Sequence, residues 1–196
     1  MTTKALRTLI WTLAALPLAA QPVTYVIDSS QSSAQFSVRH LMVSNTKGEF
    51  SKVDGTLVFD SKNPAASKVE AVIDATTINT REPKRDAHLK SPDFLDVAKY
   101  PTLNFKSKQV SKSGDHLLMK GDLTIRGVTK EVVLTVEGPT PEIKDNRGNV
   151  KIGASATTKI NRRDFGVVYN QLVEAGGVVV GDEISITIDI EATRKQ

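Results

Sequence analysis

The chain has 196 residues, 26 Lys and Arg against 22 Asp and Glu, and a net charge of +4. The basic residues are interleaved with acids and form no stripe, which argues against a nucleic-acid partner. Cysteine is absent, so disulfides cannot stabilise the chain, and about 175 residues beyond the leader described next must bury a core of their own, enough for one domain.

Residues 1–20 carry Lys4 and Arg7, the apolar run Leu9 to Leu16, and the small pair Ala19-Ala20. That is the layout of a secretory signal peptide. It predicts cleavage near Gln21 and a mature protein in the periplasm or secreted. An uncleaved anchor is the alternative, because Leu18 is a poor residue three before that cut. Removing Lys4 and Arg7 lowers the net charge to +2, so the basic balance says little about partners.

From Val23 onward the pattern is strict alternation. Ala34, Phe36 and Val38 share one face, and Gln35, Ser37 and Arg39 the other. Leu57 with Phe59, Leu103 with Phe105, and Val132, Leu134 and Val136 repeat it. So do Ile152, Ala154 and Ala156, and then Ile184, Ile186, Ile188 and Ile190. Period two means strands with one buried face and one wet face. Roughly eight or nine such strands are separated by turn signals such as Ser111–Gly114 and Asp145–Gly148, giving an all-β, antiparallel single domain. A sandwich and a closed barrel both fit, and a barrel of about eight strands leaves no edges and encloses room for a ligand. Large inward groups (Phe36, Phe59, Phe105) alternate with small ones (Ala34, Ala71, Ala154, Ala156), which is consistent with either a lumen or close packing.

Arg81 to Phe105 breaks the pattern. Arg85, Asp86 and His88 are crowded together and followed by large apolar residues. Ser91-Pro92-Asp93 resembles a helix start, with a hydroxyl N-cap, Pro in the first position and an acid in the first turn. A short helical segment around 85–97 is predicted, acting as a lid or rim. A second charged-then-aromatic cluster, Asn161-Arg162-Arg163-Asp164-Phe165-Gly166, follows a strand. It predicts either a structural Arg–Asp pair or an Arg162 that meets a ligand head group at a barrel mouth.

Chemistry is sparse. The three His (His40, His88, His116) are scattered and have no cysteine partners, so no metal is expected. No nucleophile stands beside a His–acid pair, so no catalytic residues and no enzyme activity are expected. His116 and Arg39 read as solvated, and His40, by parity with Phe36 and Val38, points inward.

The segment Arg85-Asp-x-His-Leu-x-Ser-x-x-Phe94 followed by Tyr100-Pro-x-x-x-Phe105 resembles the central block of the YceI-like family. Further matches follow in order: Phe36-Ser-Val-Arg-His40, Gly48-x-Phe50, Asp54-Gly55-x-Leu57-x-Phe59, Ile78-Asn-Thr80, Gly121 to Thr129, and Asn161-Arg-x-Asp-Phe-Gly166. The resemblance covers about Tyr25 to Thr193. It implies a lipocalin-like, elongated antiparallel β-barrel over residues 21–196. Such a barrel carries or sequesters a long apolar lipid, a polyisoprenoid or an isoprenoid quinone, with no other cofactor. It allows transient contact with a membrane or membrane protein, and a homodimer. The alternatives are an accessory protein or enzyme acting on a bound quinone, and a stress-response binder of amphiphiles such as fatty acids or amides. The expected apolar wall is Phe36, Val38, Phe50, Leu57, Phe59, Val72, Ile73, Phe94, Phe105, Leu123, Leu134 and Phe165. Parity is undecided where both faces are apolar, as in Val69–Ile78. The expected head-group contacts are His40, Arg85, Asp86, His88 and Arg162.

Overall fold

The computed structural model describes residues 22–171 and 179–196. The predicted leader therefore lies outside the described residues, as do Gly176 and Gly177. The strands are β1 (Val23–Ile27), β2 (Ser33–His40), β3 (Ser44–Phe50), β4 (Val53–Phe59), β5 (Lys68–Asp74), β6 (Ile78–Asn79), β7 (Thr102–Ser113), β8 (His116–Ile125), β9 (Val128–Glu137), β10 (Ile143–Lys144), β11 (Val150–Asn161) and β12 (Val180–Arg194). Among the described residues one α-helix, α1 (Pro83–Lys90), joins β6 to the segment before β7, and four 3-10 turns occur, one of them over Arg162–Phe165.

Eight of these strands close into a ring in the order β1, β4, β5, β7, β8, β9, β11, β12, and β12 returns to β1. Every neighbouring pair is antiparallel. The single antiparallel barrel read from the sequence is therefore the fold. Closure leaves the ring strands no free edge.

The 15-residue β12 explains the remaining strands. Along one edge it pairs with β11 over almost its whole length. Its other edge is shared end to end: Ala192 to Arg194 pair with β1, and Val180 to Asp189 pair with β2. The hairpin β2–β3, with β6 alongside β3, thus continues the wall where β1 stops. α1 packs beside β6 at that end.

Cross-strand register fixes which side chains face inward. Ile73 lies opposite Val53 and Leu103, and Ala71 opposite Gly55 and Phe105. Val72 lies opposite Asp54 and Asn104 and is 42% exposed. Its expected place in the wall is therefore corrected: Val69, Ala71 and Ile73 face in, and Val72 faces water. In β7 an irregularity between Ser107 and Gln109 shifts the register. The inward set accordingly changes from Leu103 and Phe105 to Val110.

The helix also differs from expectation. Glu82 caps it by accepting from Lys84 N at 3.1 Å, and Pro83 occupies the first turn. Ser91 ends the helix rather than starting it, and residues 92–99 form turns. The reason is local. Pro92 has no N–H, and its ring disfavours helical backbone at Ser91. Pro83 sits where a missing N–H costs nothing.

Candidate functional site: an apolar lumen under a helical lid

The inward faces do not meet in the middle. They enclose a cavity of about 240 Å³. Folded cores are packed to near crystal density and contain few voids larger than a water. This space would hold on the order of twenty water-sized spheres. Ile184, Ile186, Ile188 and Ile190 of β12, with Phe36 and Val38 of β2, point inward and are nonetheless only half-buried. The surface they leave uncovered belongs to the lumen.

Three sequence features keep it open. Ala154 and Ala156 put methyl groups where β11 crosses the lumen. Phe36 lies against Gly48, its direct cross-strand partner, where any Cβ would strike the ring. Phe105 leans against Gly121, the partner of Ser107 on β8, where a Cβ would come within 2.6 Å of Cζ. Both rings are turned along the wall instead of across the barrel.

At the lid end the cavity meets Leu89 of α1, Phe94 and Leu95 of the following turns, and Phe165 and Val167. At the other end the chain segment around Pro139 contributes. Beyond it Tyr25, Leu57, Ile152 and Ala192 form a separate small cluster. Tyr25 donates to Glu142 Oε1 at 2.5 Å. Burial first, and then that carboxylate, push the Tyr25 hydroxyl up to about 12.

Of the expected wall residues, all but Val72 line the cavity. The sequence reading omitted the four isoleucines of β12 from the wall, although their alternation was the cleanest in the chain. It also omitted Val53, Met119 and Ile125, which line it too.

The expected polar group is not gathered into one pocket. Arg85 is exposed, and donates from Nε to Thr80 Oγ1 and from Nη2 to Thr80 O, both at 2.8 Å. Asp86 accepts from Thr80 N at 2.8 Å and from Thr80 Oγ1 at 2.5 Å. Together they tie α1 to Thr80 just past β6, and neither lines the lumen. His40 keeps the parity of Val38 but closes β2 opposite Val180 and Ser44, outside the cavity-lining set. His88 stands one layer out. Its Nε2 is 2.8 Å from Asp93 Oδ2, and its ring meets the cavity-lining Phe94 at 5.0 Å and Tyr169 at 4.9 Å, edge-on.

Arg162 does reach the lumen wall and is 4% exposed. Its five N–H groups are all engaged. Nε donates to Gly181 O (2.9 Å), Nη1 to Val167 O (2.7 Å) and Tyr169 O (2.9 Å), and Nη2 to Val180 O (3.3 Å) and Asp182 Oδ1 (3.1 Å). A guanidinium has five donors, so none is left for a head group. Burial pulls its pKa down, Asp182 opposes that, and Arg163 adds to it. Arg126, within the Gly121 to Thr129 stretch, plays a similar part. It donates to Gly166 O at 2.6 Å and Pro92 O at 2.8 Å, and so joins the lid turns to the segment after β11. No buried side-chain N or O among the described residues lacks a partner. The lumen surface itself is almost wholly apolar, with Gln35, Ser67, Ser155 and Thr158 among the few polar residues along it.

Residues 25–192 match the YceI-like domain. The chain belongs to the YceI-like family. It is 43% identical over 145 residues to Protein YceI of Escherichia coli O157:H7, covering 73% of this chain and 75% of that protein. The solved YCEI protein of Campylobacter jejuni is 33% identical and superposes with a TM-score of 0.67, covering 81% of this chain and 90% of that one. A polyisoprenoid binding domain from Saccharophagus degradans shares the barrel at 14% identity, with a TM-score of 0.63 and coverage of 88% and 99%.

Proposed function

We propose that this YceI-like barrel binds one long apolar chain, a polyisoprenoid or the tail of an isoprenoid quinone, and carries or sequesters it without catalysis. The observation that carries the reading is the almost wholly apolar lumen inside the closed ring of strands. An empty cavity of about 240 Å³ would cost on the order of 5 kcal/mol in lost packing. Each CH₂ buried there returns about 0.8 kcal/mol. The S. degradans domain, described as binding polyisoprenoid, supports the same ligand class here. The residues from Phe36 to Phe165 that line the lumen hold the chain. The polar end stays in water at the lid, where His88 and Asp93 stand and Arg85, Asp86 and Arg162 are already occupied. Export to the periplasm follows from the leader-like residues 1–20, and an aqueous compartment between membranes is where such a lipid needs a carrier. The test is mass spectrometry of an organic extract from gently purified protein. A prenyl chain or quinone at about one per protein is expected. Protein that yields no lipid, and takes up none when a prenyl lipid is offered, would overturn the proposal.

A further inference from the structure

The hairpin tip between β2 and β3 is built against ordinary turn chemistry. Leu41 and Met42 have φ of 49° and 61°, and Val43 N donates to His40 O at 3.1 Å. Two successive left-handed residues make the turn that Asn-Gly fits and branched or long side chains resist. These three residues are also left in water: Leu41 is 41% exposed, Met42 60% and Val43 77%. Among the described residues, backbone strain combined with exposed apolar surface at one tip has no packing explanation. Such outliers gather where function requires them.

The tip is continuous with the lumen. Leu41 N donates to Val179 O at 2.9 Å, and His40 pairs with Val180, a cavity-lining residue. The Arg162 guanidinium that holds Val180 O also holds the carbonyls of Val167 and Tyr169. Val168 between them is 57% exposed. The apolar tip, Val168 and the lid end of the lumen thus share one end of the barrel. The tip's flanks are basic. Arg39 bonds only Asn45 Oδ1, at 3.4 Å, and neither it nor Lys47 has a carboxylate partner among the described residues.

We infer that Leu41, Met42 and Val43, with Val168 at the same end, dock this end of the barrel onto an anionic phospholipid bilayer, so that the lumen opens against the lipid it exchanges. Apolar side chains at a basic-flanked tip enter the headgroup boundary, and binding scales with the apolar area buried plus attraction to anionic lipid. This rests on the apolar-carrier reading above, but the two can fail separately.

The experiment is flotation of the purified protein with phosphatidylethanolamine–phosphatidylglycerol vesicles, alongside lipid extraction of the same samples. Leu41→Asn with Met42→Gly replaces the tip by residues that suit its backbone. We expect this double variant to melt higher than wild type, to keep its extracted lipid, and to partition onto vesicles about tenfold less. Val43→Asp should also lose vesicle binding, and Val133→Asp, on the exposed barrel wall, should not. Wild-type protein that stays off the vesicles, a double variant that binds them equally, or an equal loss in Val133→Asp would overturn the inference. So would binding that appears only when membrane proteins are included, because the partner would then be a protein. Failure of the carrier reading would show instead as the absence of extractable lipid in every sample, whatever the vesicles do.

Discussion

Replacing Arg162 by Leu removes the junction between the barrel and its lid. The side chain is 4% exposed, so water cannot take over its contacts. Four carbonyls, those of Val167, Tyr169, Val180 and Gly181, lose a charged donor, and Asp182 keeps only Arg163 at 2.8 Å. Single hydrogen bonds to a charged group contribute about 1.5–3 kcal/mol each, but bonds of one network do not add. Asp182 is half-exposed and keeps Arg163, so the cost falls on the stranded carbonyls; two such bonds' worth, about 3–5 kcal/mol, is adopted for the whole junction. In a domain of this size each kcal/mol moves the melting temperature by about 2–4 °C, so a drop of about 6–20 °C is expected. Arg162→Lys keeps the charge with three donors instead of five, and should fall between wild type and Leu. Thermal and urea unfolding give the stability, and lipid extraction of the folded fraction gives the ligand. If Arg162→Leu keeps its melting temperature within about 2 °C, or folds normally and loses its lipid, then Arg162 serves the head group and the structural account is wrong.

Filling the lumen separates cavity from fold: Ala156→Phe, between Val136 and Ile188, should abolish lipid retention while thermal stability holds or rises by about 0.5–2 kcal/mol. Gly48→Ala should cost about 1–3 kcal/mol in urea unfolding, because Phe36 must leave the position it holds against Gly48. Spectrophotometric titration of the three tyrosines should show one ionising near pH 12, and Tyr25→Phe should remove that step. A phenol whose folded value is raised from 10.0 to about 12 contributes stability that is complete below pH 10 and lost as pH rises through 12. Alkaline unfolding of wild type should therefore be steeper over that window than that of Tyr25→Phe.

The architecture was legible because the side-chain period of a strand survives in the sequence. Phe36 and Val38, Leu103 and Phe105, and Ile184 to Ile190 announce an inward face without any knowledge of partners. What could not be read was set by residues distant in the chain. Val72 and Ile73 are equivalent in sequence, and only Asp54 and Asn104 on neighbouring strands assign Val72 to water. The partners of Arg162 are backbone carbonyls up to 19 residues away, and backbone carbonyls leave no mark in composition. Arg85 and Asp86 looked like a polar group awaiting a ligand because Thr80, their actual partner, is an ordinary residue just past a two-residue strand. The helix starts at Pro83 rather than at Pro92, and sequence alone does not separate the two because both prolines give similar start signals. Glu82, an uncommon cap, was the clue to the first.

The wall residues alone do not determine that the barrel is hollow. A ring of eight strands lined by phenylalanine and isoleucine can also pack solid, with side chains filling the interior. Here the direction of the rings decides. Each of the two aromatic groups near mid-barrel has a glycine beside it, Gly48 for Phe36 and Gly121 for Phe105. A side chain at either glycine would push its ring into the lumen, and the ring would then fill the space that Ala154 and Ala156 leave. Glycine within a strand weakens it, so its use at these two positions has a local cost that a solid core would not require. The same residues that make the strands less than ideal keep the centre empty. The cavity then costs packing energy until an apolar chain occupies it. Wild-type protein stripped of lipid should therefore melt below the loaded form, and Ala156→Phe, which holds no lipid, should melt above the stripped wild type because its ring fills the space from within.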